Sequence, residues 1–219
     1  MSYDLIIVSK SISQQLIDIT TNCINSARQD CELNVIVVET SGMKVKYDAN
    51  VMYYQGLFNY NRALNYGLLY AKSDVHILAN NDLIFHQGWS EVGDLMKVNG
   101  FDSASVLSND IRQRGFERGD YIYEGFNIGV HLTGWCLFVT KEAIQKIGKL
   151  DETYDFWYSD NVYADQLKAH GLRHGLFCNI QVDHLGSKTL KTLPYREQRR
   201  YSVNQKYYAE RKRVYYIDS

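Results

Sequence analysis

The sequence predicts an α/β fold, a central mostly parallel sheet flanked by helices, on three observations. Short β-branched runs without polar alternation recur up to Ala79. Amphipathic segments with helical spacing separate them. No internal repeat, low-complexity tract or linker rich in Gly, Ser or Pro interrupts the order.

"YDLIIVS" (3–9) and "LNVIVVE" (33–39) read as strands covered on both faces. Between them Leu16, Ile19, Cys23, Ile24 and Ala27 recur at helical spacing, giving a strand, helix, strand unit. A second helix is expected over 57–73, with Leu57, Tyr60, Ala63, Leu64 and Leu68 on one face, leading into the strand "VHILA" (75–79). Beyond it the spacing predicts a helix over 88–100, a strand over 101–108, a mobile polar connection over 109–127, and strand material over 128–140. Two more helices follow, closed by Gly148 and Gly171, and a helical tail starts near Pro194. The economical parse is one domain, 1–187, with a C-terminal helical extension, 188–219, packed on it.

A chain of 219 residues, 45% hydrophobic, is long enough for one large core. Its formal charge of −1 argues against coating nucleic acid over the whole surface. Cys23, Cys31, Cys136 and Cys178 are scattered without metal-type spacing and read as free thiols in a reducing compartment. No stretch approaches the ~20 apolar residues of a membrane span, and the start "MSYDLIIVSKS" is not a signal peptide, so the expectation is a soluble, cytoplasmic protein.

"VHILANNDLIF" carries the chemistry: an apolar strand ends in Asn80, Asn81 and Asp82 before "LIF" resumes. A buried carboxylate there either caps local structure or faces a ligand. Glu39 ends the second strand in the same way, and ligands of open parallel sheets gather beyond the carboxyl ends of strands. Two such carboxylates suit a polar ligand and a hard cation, Mg²⁺ or Mn²⁺. After the first strand, "SKSISQQ" has neither the glycine-rich dinucleotide turn nor a P-loop.

Three blocks in order, "VIVVETSG", "FNYNRALNYGLLYAKSDVHILANNDLIFHQGW" and "HLTGWCLFVTKEAIQKIGKLDETYDFWYSDN", resemble the GT-A fold glycosyltransferases, and among them the inverting family 2. The resemblance extends to about Thr189. It implies a Rossmann-like GT-A sheet and transfer of a sugar from a nucleoside diphosphate sugar, assisted by Mn²⁺ or Mg²⁺. Glu39 stands at the nucleotide-contacting acid. Asn80, Asn81 and Asp82 stand at the DXD motif, with Asn80 in place of the first acid and Asp82 as the metal ligand. His184 matches a late histidine that completes the metal or diphosphate site in some members. Arg62 and Asn65 are expected to line the nucleotide with Asn80 and Asn81.

Asp160 matches the carboxylate that takes the acceptor's proton, with Asp155 and Asp165 as alternatives. At a helix start, the dipole would pull its pKa down. Gly134, Trp135 and Trp157 are expected to wall the acceptor sugar.

The expected acceptor is a saccharide. A second reading comes from the tail, where Lys188, Lys191, Arg196, Arg199, Arg200, Lys206, Arg211, Lys212 and Arg213 interleave with Tyr195, Tyr201, Tyr207 and Tyr208. Such a segment can grip DNA, which makes a hydroxymethylated base, flipped from the duplex, an alternative acceptor. A third reading, of another class, is a non-catalytic module that binds nucleotide sugar or glycan.

Overall fold

The structure, a computed structural model, describes residues 1–186, 188–192, 195 and 198. The chain runs β1 (Tyr3–Ser9), α1 (Gln14–Ala27), β2 (Asn34–Glu39), β3 (Asn50–Tyr53), α2 (Tyr60–Leu68), β4 (Val75–Asn80), β5 (Leu83–Phe85), α3 (Val92–Asn99) and β6 (Ser103–Leu107). It continues through β7 (Ile122–Glu124), β8 (Cys136–Thr140), α4 (Lys141–Ile147), α5 (Ser159–Ala169), β9 (His174–His184) and α6 (Lys188–Thr192).

The strands form one sheet in the order β3-β2-β1-β4-β8-β6-β9-β5, with β7 also paired to β9. It is parallel through β3, β2, β1 and β4, of which β2, β1 and β4 are the part that the strand, helix, strand pattern predicts. Beyond β4 it is mixed: β8 runs antiparallel to both β4 and β6, β6 is parallel to β9, and β5 and β7 are antiparallel to β9.

Burial explains the unbroken apolar runs. Leu5, Ile7, Val35, Val37 and Ile77 point into a core under α1, α3 and Trp89. Ile6, Val8, Ile36, Val38 and Leu78 point into the opposite core, under α2, α4 and α5. Both faces of the central strands are covered, so both sets of alternating side chains are apolar. The α2 helix lies close to the sheet because Gly67 has no side chain: a Cβ there would sit 2.5 Å from Ile6 Cγ2. Ser13 caps α1 by accepting from Leu16 N, and Asn59 caps α2 by accepting from Arg62 N.

Several expectations change. Only 136–140 of the expected strand 128–140 joins the sheet, because Gly129 adopts a φ of 77° and the preceding residues close a turn, with Gly129 N donating to Leu132 O. The connection 109–127 includes β7. The long β9 was absent from the sequence reading, as were β3 and β5. All four cysteines are free thiols, and Cys23, Cys136 and Cys178 are buried. Among the described residues no helix is long and apolar enough to cross a membrane. Of the C-terminal extension, α6 contacts the domain through Lys188 N, which donates to Asp82. The rest of the expected basic, aromatic helix lies outside the described residues, apart from Tyr195 and Gln198.

One buried carboxylate serves the fold alone. Asp4 on β1 accepts from Lys72 N (2.7 Å), Ser73 N (2.6 Å), Asn34 Nδ2 (2.7 Å) and the His76 ring (3.2 Å). Burial pushes its pKa up, but the bonds from His76, Asn34, Ser73 and Lys72 outweigh it and hold the carboxyl well below the usual range. A folded pKa below the unfolded one gives stability that is complete above the unfolded pKa, about 4, and fades as pH falls below it. Asp4→Asn is therefore expected to lower the unfolding free energy by about 2–4 kcal/mol at pH 7, with a smaller deficit at pH 3. Urea unfolding at the two pH values checks this, and an equal deficit at both contradicts it.

Candidate active site

The site grows from the carboxyl ends of β4 and β9. The apolar run and "LIF" are two strands, β4 and β5, joined at Asn81 and Asp82. Because β5 pairs antiparallel with the end of β9, with Leu83 opposite His184, residues far apart in sequence meet. His184 Nε2 lies 3.1 Å from Asp82 Oδ1. Lys188 N donates to Asp82 Oδ2 (3.0 Å), and Leu185 N donates to the Asp82 carbonyl (2.9 Å). Asp82 is 2% exposed. Burial pushes its pKa up, yet the bond and charge of His184 and the Lys188 N–H prevail and keep the carboxyl below its ordinary range. The His184 ring stacks on Trp135, with centroids 5.3 Å apart and planes inclined by 15°.

His184 borders a cleft of about 290 Å³, also lined by Asn80, Trp135, Gly134, Asp160, Trp157, Tyr60, Thr133, Asp110 and Arg112. The cleft thus brings together most of the residues expected at the reacting end. Asn80 places Nδ2 3.5 Å from His184 Nε2, and its backbone N–H donates to Trp135 O at 2.9 Å, tying the end of β4 to the turn before β8.

Asp160 also lines the cleft, from the first turn of α5. Tyr158, immediately before α5, has a φ of 70°, and it is the one described non-glycine residue in the left-handed region. Such a conformation costs about 1–3 kcal/mol and aims the helix start at the cleft. Gly134 admits Asp160: a Cβ there would lie 2.6 Å from Asp160 Cβ. Burial raises the Asp160 pKa, against the smaller opposing pull of the Asn161 N–H and the Arg112 charge. The expected lowering at the helix start is overcome by desolvation. Trp157 stands 45% exposed at the cleft, and Trp135 is buried beside His184. Of the alternatives to Asp160, Asp155 gives its carbonyl to Tyr60 N, and Asp165 pairs with Lys168 (3.8 Å).

Glu39 is buried at the end of β2, where Oε1 accepts from Ser11 N (3.1 Å) and Ser41 N (2.8 Å). It joins the loops that follow β1 and β2. Asn81 donates to Thr20 Oγ1 (3.0 Å) and accepts from Thr189 Oγ1 (3.3 Å), within a run of buried hydroxyls that continues through Ser9 and Ser11 to Tyr47.

Arg62 and Asn65, expected along the nucleotide, do not line this cleft. Arg62 Nε binds Glu152 Oε2 (2.8 Å); Asn65 donates to Leu150 O (2.9 Å) and Glu152 Oε1 (3.0 Å) and accepts from Leu150 N (2.9 Å). Asn59 and Asn61 donate likewise to the carbonyls of Glu152, Tyr154 and Asp151. The asparagine-rich face of α2 is a clamp on the "LDETY" turn that leads to α5.

Sequence reasoning missed Arg112, Tyr60 and Thr133. Arg112 holds Asp110 in a two-pronged pair, Nε to Oδ1 at 3.0 Å and Nη2 to Oδ2 at 2.7 Å, at the start of the polar connection after β6. A charged pair just past the carboxyl end of a strand is the signal that could have marked it.

Among the described residues no group of three or more His, Cys, Asp or Glu side chains is gathered as for a metal. Asp82 Oδ1 and His184 Nε2 nevertheless fit one divalent ion as a pair. Adjacent ligands of an octahedral ion with bonds of about 2.1 Å lie about 3.0 Å apart, and these atoms are 3.1 Å apart. An ion held by the pair would take the place of their hydrogen bond.

No family model matches the sequence, and no curated protein matches it. Solved structures share its fold. S. aureus TarS 1-349 aligns with a TM-score of 0.61 at 10% identity, covering 85% of this chain and 61% of that one. GalNAc-T7 with UDP, GalNAc and Mn²⁺ aligns at 0.64 and 11% identity, covering 84% of this chain and 44% of that one. TarS 1-349 in complex with UDP-GlcNAc aligns at 0.61 and 9% identity, covering 89% and 62%. The chain spans about three-fifths or less of the length of these proteins. The fold of this chain is GT-A.

Proposed function

We propose that the protein is a metal-assisted, inverting glycosyltransferase that moves a sugar from a nucleoside diphosphate sugar to a hydroxyl of a saccharide acceptor. The observation that carries this reading is one cleft lined by both His184, which is paired with the buried Asp82 behind it, and a buried, pKa-raised Asp160. The GT-A fold, shared with structures that hold UDP with Mn²⁺ or UDP-GlcNAc, supports it.

In this reading Asp160 accepts the proton of the acceptor hydroxyl as that oxygen attacks the anomeric carbon opposite the leaving diphosphate. Its raised pKa makes it a stronger base than an exposed aspartate. Asp82 and His184 hold a divalent ion, Mn²⁺ or Mg²⁺, which when bound neutralises charge on the departing diphosphate. Asn80 faces the same end of the cleft, and the buried Glu39 keeps the loops after β1 and β2 in shape for the nucleotide. Trp157 offers an exposed apolar face to an acceptor ring at the rim. Gly134 lets Asp160 reach the cleft, and Arg112 supplies a fixed positive charge within it.

Two outcomes test the assignment. Asp160→Asn is expected to reduce turnover of a nucleotide sugar by about 10²–10⁴-fold while leaving nucleotide binding unchanged. The wild-type rate should fall with decreasing pH through a pKa above the ordinary carboxylate range, because a protonated Asp160 cannot accept the proton. Steady-state kinetics between pH 4 and pH 9 checks both, and wild-type turnover in the variant contradicts the role.

Asp82→Asn, which preserves shape, is expected to abolish the extra thermal stabilisation that Mn²⁺ and a nucleoside diphosphate give together, with the circular dichroism spectrum unchanged. A thermal-shift panel with UDP, GDP and dTDP, with and without Mn²⁺, reads this out. A full synergistic shift in the variant removes Asp82 from the metal site.

A further inference from the structure

Three buried polar groups on the cleft wall have no partner among the described residues: the Tyr60 hydroxyl, the Thr133 hydroxyl and the Trp135 indole N–H. Their residues are 7%, 1% and 6% exposed. They come from two separate places, the first turn of α2 and the turn at 133–135 before β8, so no single local distortion accounts for them. An unmet buried donor or acceptor costs about 1–3 kcal/mol, a cost that a ligand with matching groups removes.

The kind of group follows from their chemistry. An indole N–H can only donate, so it requires an acceptor oxygen. Tyr and Thr hydroxyls both donate and accept, which matches alcohols. Burial pushes the Tyr60 pKa far above the ordinary range, so the phenol stays protonated and neutral. Tyr60 lines the same cleft as His184 and Asp160, the two groups assigned to the reaction. A ring lying there is the sugar in transit, since its anomeric carbon stands between leaving group and attacking oxygen. The Phe156 ring packs edge-on against Tyr60, with centroids 5.9 Å apart and an interplanar angle of 85°, and holds the phenol in place.

We propose that Tyr60, Thr133 and Trp135 form the floor that reads the ring hydroxyls of the transferred sugar, with Tyr60 as a specificity-determining residue; this rests on the glycosyltransferase reading above. The substrate class it selects is a hexose conjugate with free hydroxyls on the ring face that meets the floor. Removing one of these hydroxyls from the protein weakens the hold on the sugar without touching the nucleotide.

Tyr60→Phe and Thr133→Val keep shape and lose only the polar atom. Isothermal titration with Mn²⁺ compares UDP with UDP-glucose and UDP-GlcNAc, GDP with GDP-mannose, and dTDP with dTDP-glucose, on the wild type and both variants. The expected result is unchanged affinity for the free nucleotide, and affinity for its hexose conjugate lowered roughly 3- to 10-fold in each variant. Tyr60→Phe should also melt at the same temperature as the wild type or higher, because an unpaired buried hydroxyl has gone. Variants that bind the conjugates as tightly as the wild type does overturn this inference and leave the enzymatic reading intact. So does a wild type that binds a nucleotide but gains nothing from its sugar. A wild type that binds none of these nucleotides overturns both.

Discussion

The candidate site depends on one antiparallel pairing, that of β5 with the end of β9. Without it, Asp82 would be a lone carboxylate after a parallel strand, buried at several kcal/mol of cost. With Leu83 opposite His184, the imidazole comes within 3.1 Å of the carboxylate, and the chain beyond β9 folds back so that Lys188 N meets its other oxygen. Trp135 then stacks on His184 and links the pair to the turn that ends at β8. One ladder therefore sets the Asp82–His184 pair, its stacking on Trp135 and the place where the C-terminal extension starts.

Asp160 is positioned by different means. The side chains of Asn59, Asn61 and Asn65 on and before α2 bind backbone groups of the 150–154 turn, which fixes the approach to α5. The left-handed Tyr158 and the missing side chain at Gly134 then set Asp160 at the cleft. Amide clamps suit this task because they satisfy the polar backbone of a turn packed against a helix. The parallel half of the sheet thus carries the loops after β1 and β2, and the mixed half carries the histidine and the turn against which the aspartate packs.

Much of this was legible in the sequence because it follows from local patterning. The runs at 3–9, 33–39 and 75–79 had no alternation because both faces are covered, and the helices between them showed most of their buried stripes, although α2 spans only Tyr60–Leu68 and Leu57 lies before it, exposed. Asp82, His184, Asp160, Gly134 and Trp135 could be singled out by motif order; the last four line one cleft, and Asp82 is buried behind His184. What was not legible depends on tertiary pairing. The strand 174–184 starts with His174 and Gly175 and carries Asn179, Gln181 and Asp183, so its pattern resembles a loop until β6 lies beside it. Arg62 and Asn65 had the residue types of nucleotide ligands, but only the fold shows that the turn at 150–152 takes their hydrogen bonds. The direction of the Asp160 pKa shift depends on burial, which no helix-start argument supplies.

The central claim is that Asp82 and His184 share a divalent ion at the edge of the cleft. Anomalous diffraction from crystals grown with Mn²⁺ and UDP tests it most directly. The account predicts a manganese peak bonded to both Asp82 Oδ1 and His184 Nε2 at about 2.0–2.3 Å, with diphosphate oxygens completing its shell. Bound UDP with manganese elsewhere, and the Asp82–His184 hydrogen bond still closed, would contradict it.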